Sequence, residues 1–193
     1  ALQQKKLMKK FCKVLVNNVV DLLPEKETLL SALVEKICIL SKCHMRLVRY
    51  AFTQAGLLFY KFILQQLNEL TEVKKQLNSQ KHKSKEDEGS LSSLESAMEV
   101  LKACVSALTK HLIVSRSNDS QELIKKACVE FMASLEESEL VRAFRLHSDS
   151  MFDLLSKLIR DSDPSIVKHA LHLALKLIQS ESGGQLGEEI RGF

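Results

Sequence analysis

The feature that most constrains the fold of this chain is a repeating pattern over residues 116–179, in which amphipathic helical segments alternate with short polar turns. From Ile166 to Ile178, apolar residues recur at i, i+4 and i+8 spacing, which predicts a helix with one apolar face. Asp163 and Pro164 before it are typical of a helix start. One such hairpin cannot bury its apolar face alone. The pattern therefore predicts an all-α, HEAT-like α-solenoid of stacked antiparallel helix pairs, and favours a scaffold or adaptor over an enzyme.

The composition agrees with one helical domain. The chain has 193 residues, of which 45% are hydrophobic, with two prolines, six glycines and no tryptophan. This gives enough apolar side chains for a core and few residues that break helices. We predict a single domain over residues 1–180, followed by a flexible tail over residues 181–193. The net charge of +4 is compatible with a nucleic-acid or an acidic partner.

A lysine stripe marks the predicted first helix, residues 2–23. On a helical wheel its apolar residues fall on one side and its lysines fall on the other. Such a stripe is usually a solvated face, but clustered like charges also attract phosphate groups, most strongly at low salt. Together with two lysines from a later helix, the candidate DNA contacts are Lys5, Lys6, Lys9, Lys10, Lys13, Lys125 and Lys126.

Two long helices are predicted next, over residues 44–79 and 92–115, and their continuous apolar stripes predict that they pack together. No apolar residue occurs from Asn78 to Ser90, so residues 80–91 are predicted to form a mobile loop. Aromatic residues of the first long helix have helical spacing and are interpreted as core. They are Tyr50, Phe52, Phe59, Tyr60 and Phe62.

The sequence offers no constellation that is typical of catalysis. It contains no phosphate-binding glycine loop, nucleophile elbow or zinc-protease motif. The five cysteines form no CxxC pair and are interpreted as small apolar residues in a reducing compartment. His169 and His172 could face one ligand, but no third ligand accompanies them, so they are interpreted as structural or solvated. We predict no catalytic residue, no metal and no cofactor, and expect the chain not to be an enzyme.

Two stretches carry a resemblance to a known family. Residues 48–52, Val-Arg-Tyr-Ala-Phe, are similar to the Val-Arg start of a long helix in the cohesin stromalin family, the SA, stromal-antigen or STAG subunits. Residues 112–130 resemble the family run in which Arg-x-x-Asp precedes Ile-Arg-Ala-x-Cys-Ile-Glu. The likeness covers roughly residues 30–179. Two family aromatics are absent, because a Tyr is replaced by Ser117 and a Trp by Lys157.

The resemblance implies a divergent stromalin, a nuclear and chromosome-associated scaffold. Such a subunit binds a segment of kleisin, the ring-closing subunit, and the DNA backbone in sister-chromatid cohesion. The two replaced aromatics help the family to grip short peptide motifs of regulators, so kleisin and DNA are the partners that the resemblance implies here. No membrane partner and no small-molecule substrate are expected. The candidate partner-binding residues are Arg46, Arg49, Arg116, Asp119 and Lys157.

Three alternatives stay open at this point. Arg46, Arg49 and Arg116 could order the junctions between repeats instead of contacting a partner. The chain could be an unrelated HEAT-repeat adaptor that binds only protein, and DNA binding with a steep salt dependence would exclude this. It could also be a small helical enzyme that depends on a metal or a thiol, which turnover or stoichiometric zinc would indicate.

Overall fold

The computed structural model describes residues 24–79 and 85–180, and every regular element in these ranges is helical. The all-α prediction is thereby confirmed, whereas the stacking of successive pairs into a HEAT-like solenoid stays a prediction. The predicted helix over residues 2–23 and the predicted tail over residues 181–193 lie outside the described ranges. The described elements are α1 (Pro24–Leu40), α2 (Arg46–Ser79), α3 (Lys85–Leu108), a π-helix (Thr109–Val114), α4 (Ser115–Ser117), α5 (Glu122–Ser134), α6 (Glu137–Leu146), α7 (Ser148–Ile159) and α8 (Pro164–Gln179).

Helices α2 and α3 pack together as the sequence predicts, and α1 packs against both. Tyr60 on α2 contacts Thr109, just beyond the end of α3, whereas Lys74 pairs with Glu95 at 2.7 Å. A later residue of α2 thus contacts an earlier residue of α3, so the two helices are antiparallel. Their facing stripes form a core whose fully buried members include Leu30, Phe59, Ile63, Leu67, Leu101 and Leu108.

Helix α3 begins at Lys85, so the predicted mobile loop over residues 80–91 is wrong from residue 85 onward. Residues 80–84 lie outside the described ranges. The first packed apolar side chains of α3 are those of Leu91 and Leu94, which are half-buried. Extending a helix from a packed turn is much easier than nucleating one, because each added residue gains a hydrogen bond. Residues 85–90 are consequently the polar end of the helix rather than a loop.

A π-helix follows α3, and the sequence pattern did not predict it. Here the buried hydroxyl groups of Tyr60 and Thr109 lie 2.9 Å apart, and Thr109 Oγ1 donates to the carbonyl oxygen of Val105 at 2.8 Å. Because the Thr109 hydroxyl has a single proton, it must accept the hydrogen bond from Tyr60. Burial also raises the pKa of Tyr60, so this phenol stays protonated and remains a donor. The two bonds satisfy both hydroxyl groups inside the core.

Helices α5 to α8 form a second packed group beside α2, in which α8 contacts α5, α6 and α7. Helix α8 begins as predicted. Asp163 is its N-cap, the Asp163 carboxylate accepts the backbone N–H of Ser165 at 2.7 Å, and Pro164 lies in the first turn. None of the helices in the described ranges is both long and apolar enough to cross a membrane.

Candidate functional site

A buried aspartate joins two arginines at the turn before α5. Oδ2 of Asp119 accepts a hydrogen bond from Nη1 of Arg116 at 2.6 Å and lies 3.4 Å from Nε of Arg49. Oδ1 of the same carboxylate accepts the backbone N–H of Gln121 at 2.8 Å. Only 3% of the Asp119 side chain is exposed, so its charge depends on these partners rather than on water. We call Arg49, Arg116 and Asp119 the arginine junction.

The arginine junction connects separate parts of the fold. Arg49 lies in the first turn of α2 and also donates, through Nη1, to the carbonyl oxygen of Cys43 at 3.2 Å. Arg116 lies in α4 and also donates to the hydroxyl of Ser115 at 2.8 Å. One carboxylate thus links the α1–α2 connection to the turn between α4 and α5. The geometry favours the alternative in which the two arginines order a junction, because their Nη atoms donate to intramolecular acceptors. Nε of each arginine is buried without a hydrogen-bond partner among the described residues.

The other candidate partner-binding residues do not join this cluster. Arg46 is exposed at the start of α2, and Lys157 is exposed on α7. Ser117, which replaces a family aromatic, is buried at 1% exposure beside the junction. Asp119 is also not the N-cap of α5. The N-cap of α5 is Gln121, and Asp119 holds its backbone from two residues upstream.

Of the candidate DNA contacts, the structure describes Lys125 and Lys126, whereas those over residues 5–13 lie outside the described ranges. Nζ of Lys125 contacts Oδ2 of Asp161 at 2.5 Å, which joins α5 to the turn before α8. Hydrogen bonding from Lys125, together with the backbone N–H of Asp163, lowers the pKa of Asp161. Lys125 therefore has an internal partner, and Lys126 is half-buried beside it.

An open groove of about 680 Å³ lies between α2 and α5. Its floor includes Leu57, which is 3% exposed, and Phe131, which is half-buried. The ring of Phe131 packs edge-to-face on that of Tyr60, with centroids 5.9 Å apart. At the rim, Leu123 is 64% exposed although its side chain is large and apolar. We call this feature the α2–α5 groove.

Sequence reasoning did not find the α2–α5 groove. The helical spacing of Tyr50 predicts a core position, yet Tyr50 is half-buried and lines the groove. Leu123 and Phe131 likewise fit the apolar period of α5. An apolar residue at the margin of a core stripe has the same spacing whether a neighbouring helix covers it or not. The one available signal was Lys61, a charge within the apolar run of α2.

Three buried thiols, those of Cys38, Cys104 and Cys128, are poorly suited to act as nucleophiles. Burial raises the pKa of Cys104 to about 11 and that of Cys128 to about 12, and it also raises the pKa of Cys38. A thiol needs its thiolate form to act as a nucleophile, and these shifts disfavour that form. Over residues 24–79 and 85–180, no group of three or more His, Cys, Asp or Glu side chains could hold a metal ion.

The fold and these surfaces define a class of protein: an all-α chain whose described part offers internal ion-paired junctions and an open interhelical groove. Residues 3–97 match the family model of the STAG domain. The match covers just under half of the chain and is consistent with a member of the family of stromalin or SA-type subunits of cohesin. No curated protein matches the chain.

The match confirms the family resemblance, but it covers residues 3–97 instead of the predicted range of roughly 30–179. It spans α1, α2 and the first half of α3, and it includes the stretch over residues 48–52. The second resembling stretch, residues 112–130, lies beyond the matched range. That stretch nevertheless supplies two members of the arginine junction, whereas Arg49 comes from the matched range.

Proposed function

We propose that this protein is a non-enzymatic scaffold subunit of a cohesin-type complex. In this proposal it binds a kleisin segment and the DNA backbone in the nucleus, during sister-chromatid cohesion. The STAG-domain match over residues 3–97 carries the proposal, since this family is a cohesin-related scaffold family. The matched range includes the helices that build the core around α2 and α3.

Two features of the described residues support protein binding. The α2–α5 groove leaves apolar side chains of two helices open to a partner, and an amphipathic segment could cover them. The arginine junction fixes the start of α2 relative to the turn before α5, so the groove between these helices is held in shape before binding. A preformed site loses less conformational entropy when it binds a partner.

Support for DNA binding comes from charge. The net charge is +4, and five of the lysines fall on one side of the predicted helix over residues 2–23. Lysines on a solvated face can contact phosphates, which position a protein on DNA without reading its sequence. Lys125 is a weaker candidate than the sequence indicated, because Asp161 already accepts its ammonium group.

A direct test mixes the purified chain with the kleisin subunit from the same cells. We expect one stable complex with one copy of each, which size-exclusion chromatography with light scattering would measure. Co-purification of the chain from its own cells should also recover the other cohesin subunits. If neither experiment yields kleisin or another cohesin subunit, the proposal is wrong.

DNA titration separates this proposal from the main alternative, a HEAT-repeat adaptor that binds only protein. The chain is titrated with two duplexes of unrelated sequence at several salt concentrations. We expect similar affinity for both duplexes and a steep loss of affinity as salt rises, because bound lysines release counterions. No binding at low salt would favour the protein-only adaptor.

A further inference from the structure

The α2–α5 groove has the length and shape of a site for a short helix. On α2 its lining runs from Tyr50 to Lys61, and on α5 it runs from Leu123 to Ser134. Eleven residues of helix rise by about 16 Å, so the groove accommodates about three turns of a partner helix. Its apolar floor and rim fit the stripe of side chains that an amphipathic helix presents at i, i+4 and i+7.

The charged side chains of the groove determine which charge a partner should carry. Lys61 lines one wall and Lys126 lines the other, both half-buried. Among the described residues neither lysine forms an ion pair. The pKa of the Asp163 carboxyl is lowered chiefly by the hydrogen bond from the backbone N–H of Ser165, and the charge of Lys126 makes a smaller contribution. The acid of the lining, Glu130, has its Oε1 3.9 Å from Nε2 of His169 on α8. Two ammonium groups on opposite walls therefore favour a partner with carboxylates along both edges.

We propose that the α2–α5 groove binds an acidic amphipathic helix of a partner protein. The apolar face of that helix packs over Leu57 and Phe131, Leu123 covers its edge, and its flanking carboxylates meet Lys61 and Lys126. Nucleic acid fits the groove less well, because the apolar floor offers phosphates no hydrogen-bond donors. The inference rests on the proposed function only in naming kleisin as the natural source of the helix.

Two kinds of variant test the groove in the full chain. Lys61→Glu combined with Lys126→Glu reverses the charge of both walls, and Lys36→Glu combined with Lys168→Glu is the matched control on exposed sites of α1 and α8. Leu123→Ser removes the apolar rim without emptying a core, since Leu123 is 64% exposed. Leu171→Ser, at 52% exposure on α8, is its control. Circular dichroism checks that each variant stays folded.

Three probes are used, with affinity measured by fluorescence anisotropy and the contact surface by hydrogen–deuterium exchange. They are the kleisin subunit, a designed 14-residue amphipathic helix with leucines on one face and flanking glutamates, and the same peptide with lysines in place of glutamates. We expect kleisin and the acidic peptide to protect residues 50–61 and 123–134. Both groove variants should weaken this binding about tenfold or more, the control variants should leave it unchanged, and the lysine peptide should not bind.

The outcomes separate this inference from the proposed function. If kleisin binds the groove variants and the intact chain equally well, the groove assignment is overturned and the cohesin-type function stands. If kleisin does not bind but the acidic peptide binds in the groove and is lost in the variants, the groove assignment stands and the kleisin proposal fails. Protection of the groove by the lysine peptide or by duplex DNA, instead of by the acidic peptide, overturns the inference.

Discussion

At the scale of single residues, the carboxylate of Asp119 contacts two arginine side chains and one backbone N–H. Asp119→Asn would leave the guanidinium groups of Arg49 and Arg116, which are 13% and 15% exposed, without their counter-charge. Breaking a buried ion pair costs more than the pair contributes, because an uncompensated charge stays behind. We expect the free energy of unfolding to fall by about 3 kcal/mol, as measured by urea denaturation. Asp153→Asn, on an exposed site of α7, is the control and should change it by less than about 0.5 kcal/mol.

A second prediction at this scale concerns Asp161 and acid stability. Its pKa in the folded chain lies below the ordinary value of 3.8, chiefly because Lys125 donates to it. A lowered carboxyl pKa stabilises the fold above the pKa of the unfolded chain, and this contribution is lost as the pH falls through the folded value. We expect Asp161→Asn to lower the free energy of unfolding by roughly 2 kcal/mol at pH 7. The difference from the unchanged protein should shrink below about pH 4. A difference that stays constant down to pH 3 would contradict the assignment.

At the scale of elements, α1, α2 and the π-helix meet at Gly56. A Cβ atom at this position would lie 2.7 Å from Cδ2 of Leu112 and 2.8 Å from Cγ2 of Ile37, and both neighbours are buried. The larger side chain of Gly56→Val would push these helices apart, so we expect a loss of about 2–3 kcal/mol in the free energy of unfolding. Gly89→Ala is the control, because a Cβ there meets nothing within 4 Å. It should stabilise the protein by about 0.5–1 kcal/mol through helix propensity. Equal effects of the two substitutions, seen by thermal denaturation, would mean that Gly56 is not a packing point.

The elements also show where sequence reasoning succeeds and where it fails. The start of α8 was predictable because Asp163 and Pro164 act on their own backbone, within two residues. The start of α3 was not, because a helix extended from its packed part needs no apolar residue of its own. The start of α6 at Glu137 also has a local signal, because Glu136 and Glu139 form a capping box there. Local capping signals therefore mark the starts of α6 and α8, whereas the start of α3 depends on packing.

The arginine junction and the α2–α5 groove were harder to predict from the sequence than the helix starts. The sequence singled out Arg49, Arg116 and Asp119 as candidates, but only the fold brings residues 49 and 119 within 3.4 Å. Likewise, the apolar period assigns Leu123 to a core face, while the position of α2 decides that its side chain stays 64% exposed. Both features depend on contacts between residues that are more than sixty positions apart, and helical periodicity carries no information at that distance.

At the scale of the whole molecule, the described helices form a scaffold with ion pairs at its turns. Arg49–Asp119 joins α2 to the turn before α5, and Lys125–Asp161 joins α5 to the turn before α8. In each pair the basic residue is one that the sequence suggested as a contact: Arg49 for a protein partner and Lys125 for DNA. The lysines over residues 5–13 thereby become the main candidates for phosphate contact, and they can be tested in the full chain.

The last prediction reverses four of these lysines. Its substitutions are Lys5→Glu, Lys9→Glu, Lys10→Glu and Lys13→Glu. In the predicted helix these residues lie opposite the apolar stripe, so we expect the fold to persist and the affinity for duplex DNA to fall. The loss should be similar for unrelated DNA sequences, because phosphate contacts carry no base information. The slope of log affinity against log salt should flatten by about 3 to 4, because each lost lysine–phosphate contact lowers the number of counterions released on binding by about 0.9.

A control variant of equal net charge makes this measurement specific. It reverses four lysines on exposed sites of the described helices, namely Lys36, Lys75, Lys110 and Lys168. If binding depends on the lysine stripe, the control should lose less affinity and keep a steeper salt slope than the stripe variant. Equal losses would show that DNA responds to net charge alone and would remove residues 5–13 from the proposed DNA surface. Affinity unchanged by the stripe variant, with circular dichroism intact, would remove them as well.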